Sequence, residues 1–214
     1  MTNNIVDLLK EVGAILTGHF VGTSGRHMDT YITKDALFPH TEMVSEVGRM
    51  FAEKYKDVPI DAVVAPAVGG VILSTWTAYH LSKFKGKEVL SMFTEKTENN
   101  DQVLKRGYDK VVNGKNILVI EDTVTTGGSV KKTIDSVKKA GGKIVDLCLM
   151  VNRDPDLVNE NSVGMKFSAL GEYRAYSYDP DKCPLCERKI PINTEVGHGK
   201  KFLESLKNTS QAAK

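Results

Sequence analysis

Between Val119 and Ser129 the chain concentrates groups able to hold a polyol and an anion side by side. An apolar run, Ile117-Leu118-Val119-Ile120, leads into two adjacent carboxylates, Glu121 and Asp122, and then into Thr123-Val124-Thr125-Thr126-Gly127-Gly128-Ser129. Thr125, Thr126 and Ser129 offer hydroxyl donors, and the glycines let backbone amides approach closely, so the loop can wrap a terminal phosphate. The carboxylates would repel that phosphate unless they face neutral hydroxyls such as those of a ribose. A sugar phosphate satisfies both halves. Rival phosphate motifs fail: Gly128-Ser129-Val130 lacks the lysine of a P-loop, and the three spaced glycines of a dinucleotide fingerprint are missing.

Chemistry of this kind needs a strand to deliver the acids and a helix to receive the anion. The apolar run over Asn116 to Glu121 reads as a buried parallel strand and Ser129 to Ala140 as the helix that follows. A ligand then belongs at the strand's carboxyl end, where a helix N-terminus favours an anion. Further strands are predicted over Asp61 to Pro66, Glu88 to Phe93 and Lys143 to Val151, and a helix over Gly70 to Lys83. Strand and helix alternate, which implies a parallel sheet in an α/β fold.

Upstream, Asn4 to Leu16 and His40 to Tyr55 read as amphipathic helices, the first ended by Gly18. After Arg153 the rhythm stops. Phe167 to Leu170 and Tyr173 to Tyr178 are short strand candidates, and Ser205 to Lys214 is a polar, frayed tail. Thr94 to Lys115 is charged, lacks sustained periodicity and is long for a connector, the profile of a lid.

With 214 residues, 41% of them hydrophobic and 26% charged, the chain is long enough for one large domain with a full core. A formal net charge of +2 argues against a dedicated nucleic-acid binder. Three cysteines point to a reducing, cytoplasmic setting, and the N-terminus lacks the organisation of a signal peptide. Ala62 to Ser82 carries no charged residue, but Pro66, Gly69-Gly70 and its hydroxyls suit a strand, a loop and a core helix better than a membrane span.

The stretch from Val119 to Ser129 resembles the signature of type I phosphoribosyltransferases, which bind 5-phosphoribosyl 1-diphosphate with Mg2+. The resemblance implies a twisted parallel sheet flanked by helices with a small hood: one domain over residues 1–204, the hood drawn from roughly 1–40 and 154–200, and a flexible tail at 205–214. It assigns ribose binding and transition-state charge stabilisation to Glu121 and Asp122, and phosphate binding to Thr123, Val124, Thr125, Thr126, Gly127, Gly128 and Ser129. Ala67, Val68, Gly69 and Gly70 sit at the end of a core strand, and in the family a loop at this place holds the diphosphate through backbone groups.

Three further stretches are similar to orotate phosphoribosyltransferases in particular. Glu95-Lys96 with Lys105-Arg106-Gly107-Tyr108 resembles their mobile arm, making Lys96 and Arg106 the candidates for neutralising the leaving diphosphate and implying a homodimer whose arm serves the partner's site. Gly18 to Lys34 resembles their base-binding loop. Thr23 and Arg26 lie at its centre, Thr23 standing where many members carry a lysine, and Lys34 offers a charge nearby. Arg153 occupies the position of the arginine that grips the base's carboxylate, a task suited to a bidentate fork. The implied reaction joins orotate to the phosphoribosyl group, giving orotidine 5'-phosphate on the route to UMP. Transfer to a purine or to uracil, and a non-catalytic sensor of the diphosphate that regulates nucleic acid, are the alternatives.

Cys183-Pro184-Leu185-Cys186 forms one CxxC. A structural zinc site wants four ligands. Cys148 lies in a core strand and His198 is a distant third candidate, so a tight cysteine turn is the plainer reading and no protein metal ligands are assigned.

Overall fold

The computed structural model describes residues 4–212 apart from 23, 125, 126, 155 and 157, and side chains up to residue 206. Along the chain come helix α1 (Ile5–Glu11), strands β1 (Ile15–Val21) and β2 (His27–Ile32), a 3-10 turn at Lys34–Ala36, helix α2 (Thr41–Lys54), strand β3 (Ala62–Pro66) and helix α3 (Gly69–Lys85). Strands β4 (Leu90–Lys96) and β5 (Gln102–Val103), helix α4 (Tyr108–Val112), strand β6 (Asn116–Val124), helix α5 (Gly128–Lys139) and strand β7 (Lys143–Asn152) follow. Helix α6 (Glu160–Val163), strands β8 (Ser168–Glu172) and β9 (Ser177–Tyr178), and helices α7 (Pro184–Glu187) and α8 (Gly199–Ala212) complete the order.

Two compact units result. The first takes the chain up to Val12 and from Lys34 to Arg174. Its sheet has the order β5-β4-β3-β6-β7-β8, parallel throughout except for the antiparallel β4–β5 pair. Ala62, Val63, Val64, Ile117 to Ile120 and Leu147 to Val151 are buried on both faces, as strands covered by helices on each side must be. Helix α2 presents Val44, Val47, Phe51 and Ala52 to this core.

The second unit takes Gly13–Thr33 and Ala175 onward, around a three-stranded sheet of order β1-β2-β9. β1 and β2 form an antiparallel hairpin, and the register slips between Thr17 and Phe20, a bulge at Gly18-His19.

Four sequence expectations change. The first helix stops at Glu11, not near Leu16, because Gly13 turns the chain at a φ of +68° that residues with a side chain rarely adopt. Leu16 continues the apolar spacing but belongs to β1, which makes most of the stretch from Gly18 to Lys34 a hairpin instead of a loop. The segment from Thr94 to Lys115 is no bare lid: it holds the end of β4, β5 and α4, with the Thr94 hydroxyl buried against Gln102 and Thr133, each at 2.9 Å. Finally, residues read as a frayed tail continue α8 as far as Ala212. The helix and strand expected across Ala62 to Ser82 are β3 and α3, and no helix among the described residues is long and apolar enough to cross a membrane.

Candidate active site

In the first unit, chain order reverses beside β3: α3 carries the chain to β4 on one side, and the later strand β6 pairs on the other. Crevices at such a switch point, outside the carboxyl ends of the strands, are where open α/β sheets bind ligands. Asp122 near the end of β6 and Gly69 at the start of α3 meet there. A Cβ placed on Gly69 would lie 2.6 Å from Asp122 Oδ2 and 2.9 Å from the Phe38 ring, so only glycine leaves room for the carboxylate. A Cβ on Gly70 would lie 2.6 Å from the Ala65 side chain, which explains the second glycine by helix-to-strand packing.

Asp122 is only 2% exposed. Its Oδ2 lies 2.6 Å from Lys34 Nζ, and its Oδ1 accepts hydrogen bonds from the backbone N–H and the hydroxyl of Thr123. Burial works against the Lys34 charge, but the Asp122 carboxylate outweighs it and holds the ammonium above its ordinary range. The turn that begins at Lys34 also delivers Phe38, whose N–H donates to the Lys34 carbonyl at 3.3 Å. Phe38 carried no chemical signal in the sequence; its role is steric.

Glu121 is buried beside Asp122 and accepts the Asp122 N–H at 3.1 Å. Burial first, and the adjacent Asp122 charge second, push its carboxyl well above the usual range. Two neighbouring carboxylates therefore differ: Asp122 is balanced by a cation, and Glu121 favours its neutral form.

The rest of the phosphate loop is partly placed. Gly127 caps α5 with a φ of +81°, and Gly128 and Ser129 open that helix in exposed positions. Val124 turns its side chain into the apolar core, so only its backbone is available to a ligand. Thr125 and Thr126 lie outside the described residues, as does Thr23. Ala67 donates its N–H to the Thr94 carbonyl at 2.8 Å, and Val68, just before α3, is 81% exposed.

Of the arm cations, Arg106 Nε donates to Glu95 Oε1 at 2.7 Å and Lys105 Nζ lies 3.7 Å from Glu95 Oε2. Lys96, exposed at the end of β4, makes no ion pair among the described residues. Glu95 thus holds Lys105 and Arg106. Arg153 directly follows β7 on the same carboxyl edge and is half-buried.

Arg26 belongs to the second unit. Its Nε donates to Ser177 Oγ at 3.2 Å, one terminal nitrogen to the Ser177 carbonyl at 3.0 Å, and the other to Asp179. These partners within the hairpin unit occupy the guanidinium that the sequence offered to a substrate.

The crevice therefore joins a buried carboxylate pair, a backbone turn at a helix start and a glycine-capped second helix, the parts needed to hold a phosphorylated sugar. A family model for the phosphoribosyl transferase domain matches residues 33–164, which defines the class. The orotate phosphoribosyltransferase of Chlorobium phaeobacteroides (strain BS1) is 37% identical over 192 residues, 90% of this chain and 94% of that protein. That of Thermotoga maritima (strain ATCC 43589 / DSM 3109 / JCM 10099 / NBRC 100826 / MSB8) is 36% identical over 92% of this chain and 100% of its own length. Among solved structures, Mycobacterium tuberculosis H37Rv orotate phosphoribosyltransferase shares the fold. Its complex with Fe(III) dicitrate matches with a TM-score of 0.62 at 21% identity, covering 78% of this chain and 95% of that one. Its complex with 5-phospho-alpha-D-ribosyl 1-diphosphate matches with a TM-score of 0.58 at 20% identity, covering 78% and 93%. The chain belongs to the orotate phosphoribosyltransferase family.

Proposed function

We propose that this chain transfers the phosphoribosyl group of 5-phosphoribosyl 1-diphosphate to orotate, releasing diphosphate and orotidine 5'-phosphate. The observation that carries the reading is the Asp122 carboxylate seated against Gly69 at the switch between β3 and β6, in a chain whose relatives of matching length are orotate phosphoribosyltransferases. Backbone groups of Ala67, Val68, Gly69 and Gly70 are assigned to the diphosphate, the Ala67 N–H excepted because it donates to the Thr94 carbonyl, and Thr123 to Ser129 to the 5-phosphate. Asp122 and Glu121 take the ribose hydroxyls.

For Asp122 to do so, Lys34 must leave it or share it. Once displaced from Oδ2, the ammonium is available to the incoming base or to the diphosphate. Bond breaking at the anomeric carbon builds positive charge on the ribose ring, and the Asp122 carboxylate, oriented by the N–H and hydroxyl of Thr123, stabilises that charge. Lys96 and Arg106 neutralise the leaving diphosphate after Arg106 exchanges Glu95 for the ligand. Arg153 holds the carboxylate of orotate, with Thr23 and Arg26 assigned to the same base; Arg26 must give up Asp179 to take part. We further assign a homodimer in which the arm serves the partner's site.

Mg2+ fits this donor set. The hard carboxylate oxygens of Asp122, and of Glu121 once it gives up its proton, are what a magnesium ion shared with substrate phosphates would take, and Asp122 already faces a cation at 2.6 Å. When bound, the ion supplies charge neutralisation to the diphosphate. The deciding assay offers orotate, uracil, adenine, hypoxanthine and xanthine with the phosphoribosyl diphosphate and Mg2+. Product from orotate alone is expected; product only from a purine or from uracil would replace the substrate assignment, and none from any base would support the sensor alternative.

A further inference from the structure

The second unit brings together four side chains to which the proposed transfer reaction assigns no role. His19, His27, Cys183 and Cys186 each offer a ligand atom, and these atoms all lie within 4.8 Å of one another. We propose that they form a structural zinc site, a buried Cys2His2 tetrahedron that ties the β1–β2 hairpin to the Cys183–Cys186 turn.

The distances suit a single ion. Zinc at about 2.3 Å from sulfur and about 2.0–2.1 Å from nitrogen requires tetrahedral edges of roughly 3.3–3.8 Å. Cys186 Sγ lies 3.3 Å from His27 Nδ1, and Cys183 Sγ and Cys186 Sγ lie 3.7 and 3.8 Å from His19 Nε2. The two imidazole nitrogens are closer, at 2.8 Å, and need to part by about half an ångström to reach such an edge.

Local structure aims each donor. The bulge at Gly18-His19 re-aims the strand so that His19, Phe20 and Val21 are buried in succession, and His27 stands opposite Val21 on the neighbouring strand. Cys183 caps the short helix α7 and Pro184 begins it, so Cys186 returns to the same side within one turn. His19 Nδ1 lies 2.7 Å from the Ile190 carbonyl, which can only accept. The neutral ring must therefore carry its proton on Nδ1 and turn the Nε2 lone pair into the cluster, the outer hydrogen bond that a metal-bound histidine wants.

Without an ion the arrangement is costly. His19, His27 and Cys183 are 2%, 1% and 1% exposed, so their inward-facing atoms have mainly one another as partners. The inward-facing nitrogens meet one another and the weak thiol donors of Cys183 and Cys186. Zinc resolves this with balanced charge: Zn2+ displaces the two thiol protons to solvent, and two thiolates with two neutral imidazoles leave the buried site uncharged. Cys186, the exposed member, marks the side from which the ion enters. An S2N2 tetrahedron selects zinc over the harder magnesium assigned to the transfer reaction.

The test uses the full chain, purified without a histidine tag, and its readouts are independent of transferase activity. We expect about one equivalent of zinc per chain by mass spectrometry, and after exchange into Co2+ the intense visible bands of a tetrahedral thiolate site. Cys183→Ser combined with Cys186→Ser should lose the metal, and Cys148→Ala should retain it. If the double variant fails to fold, the wild-type stoichiometry and cobalt spectrum still decide. Less than about a tenth of an equivalent after reconstitution, octahedral cobalt bands, or zinc retained by a folded double variant would each overturn the site.

Discussion

The two units solve the burial problem differently. In the sheet unit, Ile117 to Ile120 of β6 and Leu147 to Val151 of β7 cross the core as unbroken apolar stretches, and polar side chains stand at their ends, Glu121 and Asp122 in β6 and Asp146 and Asn152 in β7. The hairpin unit buries a shorter apolar set, with Phe20, Val21, Met28, Ile32 and Leu185 prominent, and places His19, His27, Thr30 and Cys183 among them. A small unit cannot remove enough apolar surface to stand on that alone, so polar cross-links take over. The buried carboxylates of the first unit thus mark the candidate site of reaction, and the buried histidines and Cys183 of the second belong to the proposed cross-link.

The largest test of this contrast lies in the sheet. Leu118→Ala in β6 should cost about 2–5 kcal/mol in denaturant unfolding, because the cavity it leaves has packed strands on both sides. A loss below 1 kcal/mol would mean that the sheet core carries less than its burial implies.

Next is Asp122→Ala, which should lower kcat/KM by about 10- to 1,000-fold while leaving the metal content of the hairpin unit unchanged. Unaltered kinetics in this variant and in Glu121→Ala would remove the crevice from the mechanism.

Third, stripping the metal with a strong chelator should raise amide exchange about tenfold or more in Ile15–Val21 and His27–Ile32 and spare β6 and β7. An equal rise in β6 would show that the two units open as one.

Glu121 gives a smaller, pH-dependent effect. Its folded pKa is raised, so above the unfolded value of about 4.3 the unfolded chain loses a proton that the folded chain keeps, and stability falls as pH rises toward the folded value. Glu121→Gln should flatten that decline in a series of thermal melts; a parallel pH profile would place the carboxylate in a more solvated state. The smallest change is expected at Arg49, whose surface pairs with Glu46 and Glu53 are half-exposed: Arg49→Ala should cost only about 0.2–1 kcal/mol by denaturant titration.

Much of the sheet unit was legible because its signals are local. The apolar run before Glu121, the glycines after Val124 and the alternation from Asp61 to Val151 each fit within one strand-turn-helix step. The first helix was overextended because Leu16 continued a 3.6-residue spacing, while the strand pairing that overrides it depends on residues around Ile32. The segment from Thr94 to Lys115 looked irregular because β5 is two residues long and owes its place to β4 and to the Thr94–Gln102 contact. Lys34 was legible as a charge, but its pairing with Asp122 joins two distant parts of the chain and depends on the fold. For Arg26 the partners Asp179 and Ser177 lie some 150 positions away, out of reach of any local pattern.

The sequence alone determined the class of fold and the run of residues proposed as a sugar-phosphate cradle, because residues adjacent in the chain must stay adjacent in space. It also announced a Cys183–Cys186 pair, yet with two ligands missing that pair read as a turn. Only the tertiary structure decided that Lys34 faces Asp122, that Asp122 fits because Gly69 has no side chain, and that His19 and His27 converge on the two cysteines. Those contacts depend on strand register, on one bulge and on the return of the chain after Ala175, which are settled by packing and cannot be read from spacing.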